Sequence, residues 1–419
     1  MARSIRFIHS GDTHLGAPFR GLRSLSGSWA DRLMNAIPEA FTRLIDTCIE
    51  RQVDFLLLAG DIFDTDTVSY AHHQRFLRDM WRLHEHGIPV YLCAGNHDPY
   101  ANWVHIIPEL PPSAHFFPSD KPGYAVFEKD GEPLAHICSR GFVNQPYDND
   151  IAQGITRAHA QEETHVPAPF AIGMLHTGFT IDQRKAPCKE STLLAADMDY
   201  WAFGHIHQPL IFTPENPRFA YCGCIQGRDV KETGPRGCLE VTLTEQEKPQ
   251  VEFVPLASVQ WEHLVVDVTD FTSMGSVVRA CINAMFDHNR SSSCEEMIVR
   301  IKLEGTTILH TQLAQENVRR QVQESINESV PAFFCDSLVD MTISPRDIDA
   351  LRNESLFESL VLVQADHMQA NYDEVTQYVQ RMCVDKGLSA PDMNEAYLKA
   401  QIERAQELVF DALGDTAHE

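Results

Sequence analysis

A chain of 419 residues is too long for one ordinary domain and predicts two or three. Its 43% apolar content excludes a disordered composition, and no run of about 18 uninterrupted apolar residues is present to span a membrane. The net charge of −25 argues against a protein that grips nucleic acid through its own basic surface, although a local basic stripe or bound metal ions would add positive charge that the count omits.

The first ten residues run straight into strand-like alternation, without the apolar region and small-residue cleavage site of a secretory signal, so a cytoplasmic location is expected. Eleven cysteines are scattered without a CxxC pair, Cys222 and Cys224 being the closest two; an odd number in a reducing compartment reads as small core residues.

Residues 5–9 predict a first strand, followed by Ser10-Gly-Asp12-Thr-His14. Asp12 and His14 are two apart, so an extended segment would put both side chains on one face. Ile37, Phe41, Leu44, Ile45, Cys48 and Ile49 follow helical spacing. The run Phe55-Leu-Leu-Leu-Ala-Gly-Asp61-Ile-Phe-Asp64 reads as a strand buried on both faces that ends in a glycine and a carboxylate. A buried acid needs a partner, and a metal ion is one good candidate. A helix over 70–85 precedes a strand over 88–94, which ends in Gly95-Asn96-His97-Asp98.

Short strands are predicted over 114–117, 124–127 and 135–139. Residues 170–175 form a strand ending at His176, and 200–203 a strand ending in Gly204-His205-Ile-His207. Strands near 210, 220, 239–243 and 251–256 complete a two-sheet sandwich flanked by helices. A second unit begins near Gln260: a strand over 264–268, a helix carrying Val278, Cys281 and Met285, a strand in which Val299, Ile301 and Leu303 alternate with Arg300 and Lys302, a helix over 309–326 and a strand over 333–343. Ser344-Pro345 marks a boundary. Amphipathic helices follow, carrying Phe357, Leu360 and Val361, then Leu398, Ile402, Ala405 and Val409. The expected divisions are 1–258, 259–344 and 345–419.

The candidate ligands are Asp12, His14, Asp61, Asn96, His176, His205 and His207. Carboxylate, imidazole and amide without thiolate suit Mn²⁺, Fe²⁺ or Zn²⁺ in a catalytic site. Seven ligands are too many for one ion that must keep open positions, whereas two ions sharing Asp61 use them comfortably. Such a pair can activate a bridging water as the hydroxide nucleophile of an in-line displacement, and phosphoester hydrolysis is the reaction that most needs it. Taken singly, Asp12-x-His14 reads as a surface acid with a capped histidine, and Gly60-Asp61 as a turn. Gly95-Asn96-His97-Asp98 and Gly204-His205-Ile-His207 are harder to explain as packing, and the ordered set, each member after a strand, points to metal.

The motifs D-x-H, G-D, G-N-H-D, H and G-H-x-H resemble the calcineurin-like metallophosphoesterase pattern over roughly the first 255 residues. Within that superfamily the chain is similar to the SbcD-type DNA repair nucleases, and most to their YhaO-like relatives, through residues 12–22, 60–64 and 224–228. The resemblance implies an α+β fold: a four-layer α/β/β/α sandwich with a small α+β capping domain and a helical C-terminal tail. It implies that Asp12, His14 and His207 bind one metal, that Asn96, His176 and His205 bind the other, and that Asp61 bridges. Two divalent ions, Mn²⁺ foremost, would serve as cofactors. His97 would donate the proton to the leaving oxygen, with Asp98 orienting its ring.

Where some nucleases of the superfamily have a second histidine three residues after the bridging aspartate, this chain has Asp64, which reads first as the cap of a helix beginning near Thr65 and second as a residue orienting a ligand. Arg228 is a candidate phosphate contact but reads first as a solvated or ion-paired side chain; Phe19 and Arg20 are candidates for the substrate entrance, and His72 and His73 read as exposed helix residues. The implied activity is a DNA repair nuclease, an exonuclease, with DNA and an SMC-like coiled-coil ATPase as partners, the C-terminal helices as docking segment, a possible homodimer and no membrane. The alternative is a small-molecule or phosphoprotein phosphodiesterase or phosphatase using the same site. A non-enzymatic scaffold fits poorly, because every ligand position is occupied.

Overall fold

The computed structural model describes residues 2–19, 27–64, 69–142, 149–182, 184, 186–354, 356–391 and 393–416. Two compact units form: Met1–Val266 with Val278–Lys302 and Arg320–Val339, and Asp267–Val277 with Leu303–Arg319 and Asp340–Glu419.

The first unit is built on two six-stranded sheets. One contains β1 (Ser4–Ser10), β2 (Phe55–Leu58), β3 (Val90–Leu92) and β4 (Ala114–Phe116), all parallel, extended by antiparallel β11 (Gly237–Thr244) and β12 (Gln250–Pro255) in the order β12-β11-β1-β2-β3-β4. The other contains β5 (Gly123–Lys129), β6 (Glu132–Arg140), β7 (Phe170–His176), β8 (Tyr200–Gly204), β9 (Leu210–Phe212) and β10 (Phe219–Tyr221) in the order β5-β6-β7-β8-β10-β9.

The period-two alternation of the strands makes the layers. Phe7, Phe55 and Leu57 face Ile137, Ile172, Met174, Tyr200 and Ala202 in a core between the sheets. Their neighbours Ile8, Leu56 and Leu58 face outward onto Phe41, Leu44, Phe76 and Met80 of the helices Gly27–Glu50 and Tyr70–Glu85. Outside the second sheet, Ala171, Leu175, Trp201 and Phe203 pack with Ala160 and Leu193 of the helices Arg157–Thr164 and Glu190–Ala195. The four-layer α/β/β/α sandwich is therefore present. Buried His9 ties its layers together: Nδ1 lies 2.9 Å from the Tyr200 hydroxyl, Nε2 donates to the Phe203 carbonyl at 3.2 Å, and burial pushes its pKa down to about 3.

Two local expectations change. The first helix starts at Gly27 rather than near Ile37 and runs through Pro38. Its early turns place Trp29 and Leu33 against Val259, Trp261, Ile298 and Phe334. The second helix runs over Tyr70–Glu85 as expected, capped by Ser69, whose hydroxyl accepts from the His72 N–H; residues 65–68, where a helix capped by Asp64 would begin, lie outside the described residues. The single helix expected over 309–326 is two, His310–Leu313 and Glu316–Ser329.

A third sheet has the order β13-β14-β15, from Val259–Asp267, Glu296–Thr306 and Phe333–Ile343. The second unit carries the helices Leu356–Ala370, Tyr372–Asp385 and Glu395–Thr416, of which the sequence reading lacked the middle one. They share a small core of Ala365, Val375, Leu398 and Ile402. Arg346 pairs with Glu407 and, at 2.6 Å, with Asp411, which also faces His310 Nε2 at 3.0 Å. Among the described residues no helix is long and apolar enough to cross a membrane.

Phe55 is the densest point of the inter-sheet core, with ring centroids 4.7 Å from Phe7, 4.8 Å from Phe127 and 5.6 Å from Tyr91. Phe55→Ala should destabilise the first unit by about 3–5 kcal/mol. Urea unfolding followed by tryptophan fluorescence checks this; a change below about 1 kcal/mol would mean the sheets do not share this core.

Candidate metal centre

Parallel strands deliver their C-terminal ends to one edge, and the turns that follow carry the polar residues. Two of these turns are tied together: the Asp12 N–H donates to the Gly60 carbonyl and the His14 N–H to the Asp61 carbonyl, each at 3.0 Å. Asp12, His14 and Asp61 all take left-handed backbone, at φ 46°, 44° and 48°, and His205 lies at 99°. The 12–14 stretch is thus not the extended segment expected from its spacing. Asp12 and His14 still converge, with His14 Nε2 3.9 Å from Asp12 Oδ1. Gly95 permits a close approach no other residue would allow, since a Cβ there would stand 2.1 Å from Asp61 Oδ1. That oxygen accepts the His97 N–H at 2.8 Å.

Three imidazoles are each held through Nδ1. His14 Nδ1 sits 3.1 Å from Asp64 Oδ1, off the line of an ideal hydrogen bond. His207 Nδ1 sits 2.5 Å from Glu232 Oε1, and His176 Nδ1 sits 2.9 Å from the Ala59 carbonyl. A carbonyl accepts only, and an ionised carboxylate does the same, so each Nδ1 carries a hydrogen and, in the neutral ring, each Nε2 presents a lone pair. Those lone pairs face one another and the two acids. His14 Nε2 and His207 Nε2 are 3.0 Å apart; His176 Nε2 lies 3.3 Å from Asp61 Oδ2 and 3.0 Å from Asn96 Oδ1. Acceptors crowded this closely require a cation between them.

Among the described residues four groups have donor atoms within 4.8 Å of one another: His14–Asp64–His97, His207–Cys224–Glu232, and the two that hold the candidate ligands, Asp12–His14–His207 and Asp12–Asp61–His176. Asp12 belongs to both, and Asp61 Oδ2 also reaches 3.8 Å from His14 Nε2, so two carboxylates rather than one stand between the groups. The donor set fits two divalent ions.

In the metal-free protein burial and the neighbouring charges shift the protonation of the same groups. Burial disfavours a charged His176, but the Asp61 carboxylate beside it prevails and pushes the imidazole up to about 9. Burial works against the Asp61 charge as well, and His176 outweighs it, holding Asp61 well below the usual carboxylate range. Asp12 is shifted upward by burial. Burial opposes the charge on His207, but the hydrogen bond it donates to Glu232 and the Asp12 charge prevail and raise its pKa, whereas burial wins at His14, which falls to about 4.

The remaining sequence candidates fall as follows. Asn96 reaches His176. His205 donates its backbone N–H to both oxygens of Asp12, at 3.1 and 2.9 Å, while its ring lies 5.2 Å from that of His176, with Nε2 3.9 Å from Asp182. His97 stands at the rim with its side chain 35% exposed, Nδ1 donating to the Asp64 carbonyl at 2.8 Å.

Asp98 does not orient the His97 ring. Its carboxylate turns inward and accepts the backbone N–H groups of Asp61, Ile62, Phe63 and Gly95 at 2.8–3.2 Å, binding two ligand turns to each other. Asp64 takes the orienting place instead, facing His14, His97 and Arg228. Arg228 is buried and paired with Asp64, in line with the ion-paired reading. Phe19 is half-buried and stacks on Trp261, centroids 6.4 Å apart; Arg20 lies outside the described residues. His72 and His73 are half-buried on their helix, His73 against Phe63, and take no part in the centre. Cys222 and Cys224 are free and buried; Cys224 neighbours His207 and Glu232, but burial keeps its thiol protonated. The sequence reading missed Glu232. The usable signal was chemical: a ligand histidine needs an acceptor for its other nitrogen.

The calcineurin-like phosphoesterase family model matches residues 5–209, and a second model, the middle domain of metallophosphoesterase YhaO, matches 261–340. The uncharacterized metallophosphoesterase YhaO of Bacillus subtilis is 32% identical over 310 residues, covering 73% of each chain. The chain belongs to the calcineurin-like metallophosphoesterases. Other relatives are more distant. The SbcD component of the nuclease SbcCD from Bacillus subtilis is 24% identical over 260 residues, 55% of this chain and 64% of its own. The DNA double-strand break repair protein Mre11 of Methanococcus maripaludis is 33% identical over 94 residues, 22% of this chain and 23% of its own.

Metal uptake by this metallophosphoesterase should release protons, because an ion needs the nitrogen that His176 keeps protonated up to about 9. Lowering the pH from there therefore weakens binding, by about tenfold per unit for each proton displaced. Mn²⁺ titration by calorimetry, in two buffers of different ionisation enthalpy between pH 6.5 and 9, measures both; a pH-independent affinity would contradict the protonated site. Asp98→Ala should cost about 1–3 kcal/mol by leaving its backbone donors unpaired, read as a lowered melting temperature.

Proposed function

We propose that this metallophosphoesterase is a metal-dependent DNA repair nuclease, an exonuclease hydrolysing phosphodiester bonds. The observation that carries the reading is the two-cation donor set of buried Asp12, Asp61, His14 and His176 with half-buried His207, beside the half-exposed imidazole of His97. Two divalent ions, Mn²⁺ by preference, would supply Lewis acidity toward the phosphate and an activated water. Asp12, His14 and His207 would hold one, Asn96, His176 and His205 the other, with Asp61 between. Substrate enters from the His97 side. Because Nδ1 of His97 is engaged by Asp64, Nε2 is the atom through which His97 would pass a proton to the departing oxygen.

Similarity to a component of a nuclease and to double-strand break repair proteins supports DNA as substrate. The acidic balance supports a supplier of DNA grip outside this chain. An SMC-like coiled-coil ATPase fits that need, with the helical segment 345–419 as its dock and 259–344 restricting the substrate. Cytoplasmic residence follows from the same reading.

The charge of −25 also favours a second reading, a phosphodiesterase or phosphatase for small molecules or phosphoproteins. Turnover of end-labelled linear DNA, cyclic nucleotides and phosphomonoesters with Mn²⁺, with and without a co-purified ATPase, separates the two. Rapid cyclic-nucleotide hydrolysis without DNA cleavage would overturn the nuclease reading. Asp61→Asn should abolish DNA hydrolysis with loss of bound metal. His97→Ala should keep two ions yet lose about 10²–10⁴-fold in turnover, and full activity in that variant would remove its proton-donor role.

A further inference from the structure

One loop, running from Arg228 to Arg236, reaches the centre three times without supplying a ligand to either group. Glu232 Oε1 receives His207 Nδ1 at 2.5 Å, and its other oxygen accepts the Arg228 backbone N–H at 2.7 Å. The Arg228 guanidinium is paired with Asp64, the acid facing His14. Arg236, only 2% exposed, donates to the His207 carbonyl at 3.2 Å, to Gln208 Oε1 at 3.0 Å and to the Thr233 carbonyl at 2.7 Å. His207 is thus gripped at the ring by Glu232 and at the backbone by Arg236. The loop is in turn anchored on Trp261, whose carbonyl accepts the Gly234 N–H at 3.1 Å and whose indole donates to the Gly227 carbonyl at 2.9 Å.

We propose that Glu232 is the positioning residue of the Asp12–His14–His207 metal position. The proposal rests on the dinuclear reading above. By taking the Nδ1 hydrogen, Glu232 fixes the tautomer and the ring plane of His207, so that Nε2 points at His14 and Asp12, 3.0 and 3.7 Å away. Without it, the ring is free to rotate and to present its hydrogen where the ion belongs. Glu232 touches neither Asp61 nor His176 in any described contact, so its effect is confined to one of the two metal positions.

The test is Mn²⁺ binding to the full chain by calorimetry, with Co²⁺ visible absorption reporting ligand geometry, in the parent protein, Glu232→Leu and Glu232→Gln. Leu is nearly as large but accepts nothing; Gln keeps an acceptor oxygen. In Glu232→Leu one ion should bind about 10–100-fold more weakly, the other should be unchanged, and the Co²⁺ spectrum of the weakened position should shift. Glu232→Gln should recover part of the loss. Two ions bound with parental affinity in Glu232→Leu would overturn the proposal. So would equal weakening of both ions in both variants with a matching drop in metal-free melting temperature, which would make Glu232 a packing residue of the loop. A parent protein that takes up fewer than two ions would remove the dinuclear reading itself, and this proposal with it.

Discussion

Electrostatic incompleteness at the strand tips governs this structure. His14, His176 and His207 spend their Nδ1 hydrogens on Asp64, the Ala59 carbonyl and Glu232, and turn bare nitrogens toward Asp12 and Asp61. Burial removes the water that would otherwise soften that arrangement, and an unpaired charge in such a place is costly. The cluster holds together only with positive charge inside it. A proton on His176 meets part of the need in the metal-free protein, and divalent ions meet it better, because they carry two charges and accept several lone pairs at once.

The anchors of those imidazoles come from two distant parts of the chain: Ala59 and Asp64 follow β2, and Glu232 sits in a loop after β10. Asp98 adds a second kind of anchor by binding the backbone of the Asp61 turn to that of the Gly95 turn. The sandwich supplies what such a network needs, parallel strands whose ends are fixed relative to each other by the core around Phe55 and Leu57. Precision at the centre is therefore borrowed from the sheets, and a defect in that core is expected to reach the centre through displaced turns.

The candidate ligands stand out in the chain because most follow an apolar run that stops at a small residue, a pattern that sheet packing does not require; His176 follows Leu175 directly. The layers could be read from the alternation of Phe7 with Ile8 and of Leu57 with Leu58. What escaped has physical reasons. The helical spacing is legible only from Ile37 onward, yet the helix runs from Gly27 through Pro38, so Trp29 and Leu33 lie outside the periodicity argument. Asp98 follows His97 directly, but the turn at Gly95 sends one side chain inward to four backbone donors and the other to the rim. Glu232 stands among Lys231, Thr233 and Gly234, and no spacing marks it; its role exists only because His207 arrives beside it from another strand.

The left-handed backbone at Asp12, His14, Asp61 and His205 follows from the same requirement. A non-glycine residue in this region costs on the order of 1 kcal/mol or more, and aspartate tolerates it better than histidine does. An extended turn at 12–14 would carry Asp12 and His14 past the centre on one face, toward a single point. The left-handed turns instead fold the backbone of 12–14 onto that of 60–62, which pairs their N–H and carbonyl groups and sets the carboxylates of Asp12 and Asp61 between two imidazole groups. The strain is retained because the backbone hydrogen bonds, the Asp98 carboxylate and the core beneath hold the turns in place. Relaxing it would separate the acids and leave room for one cation where the donor set is made for two.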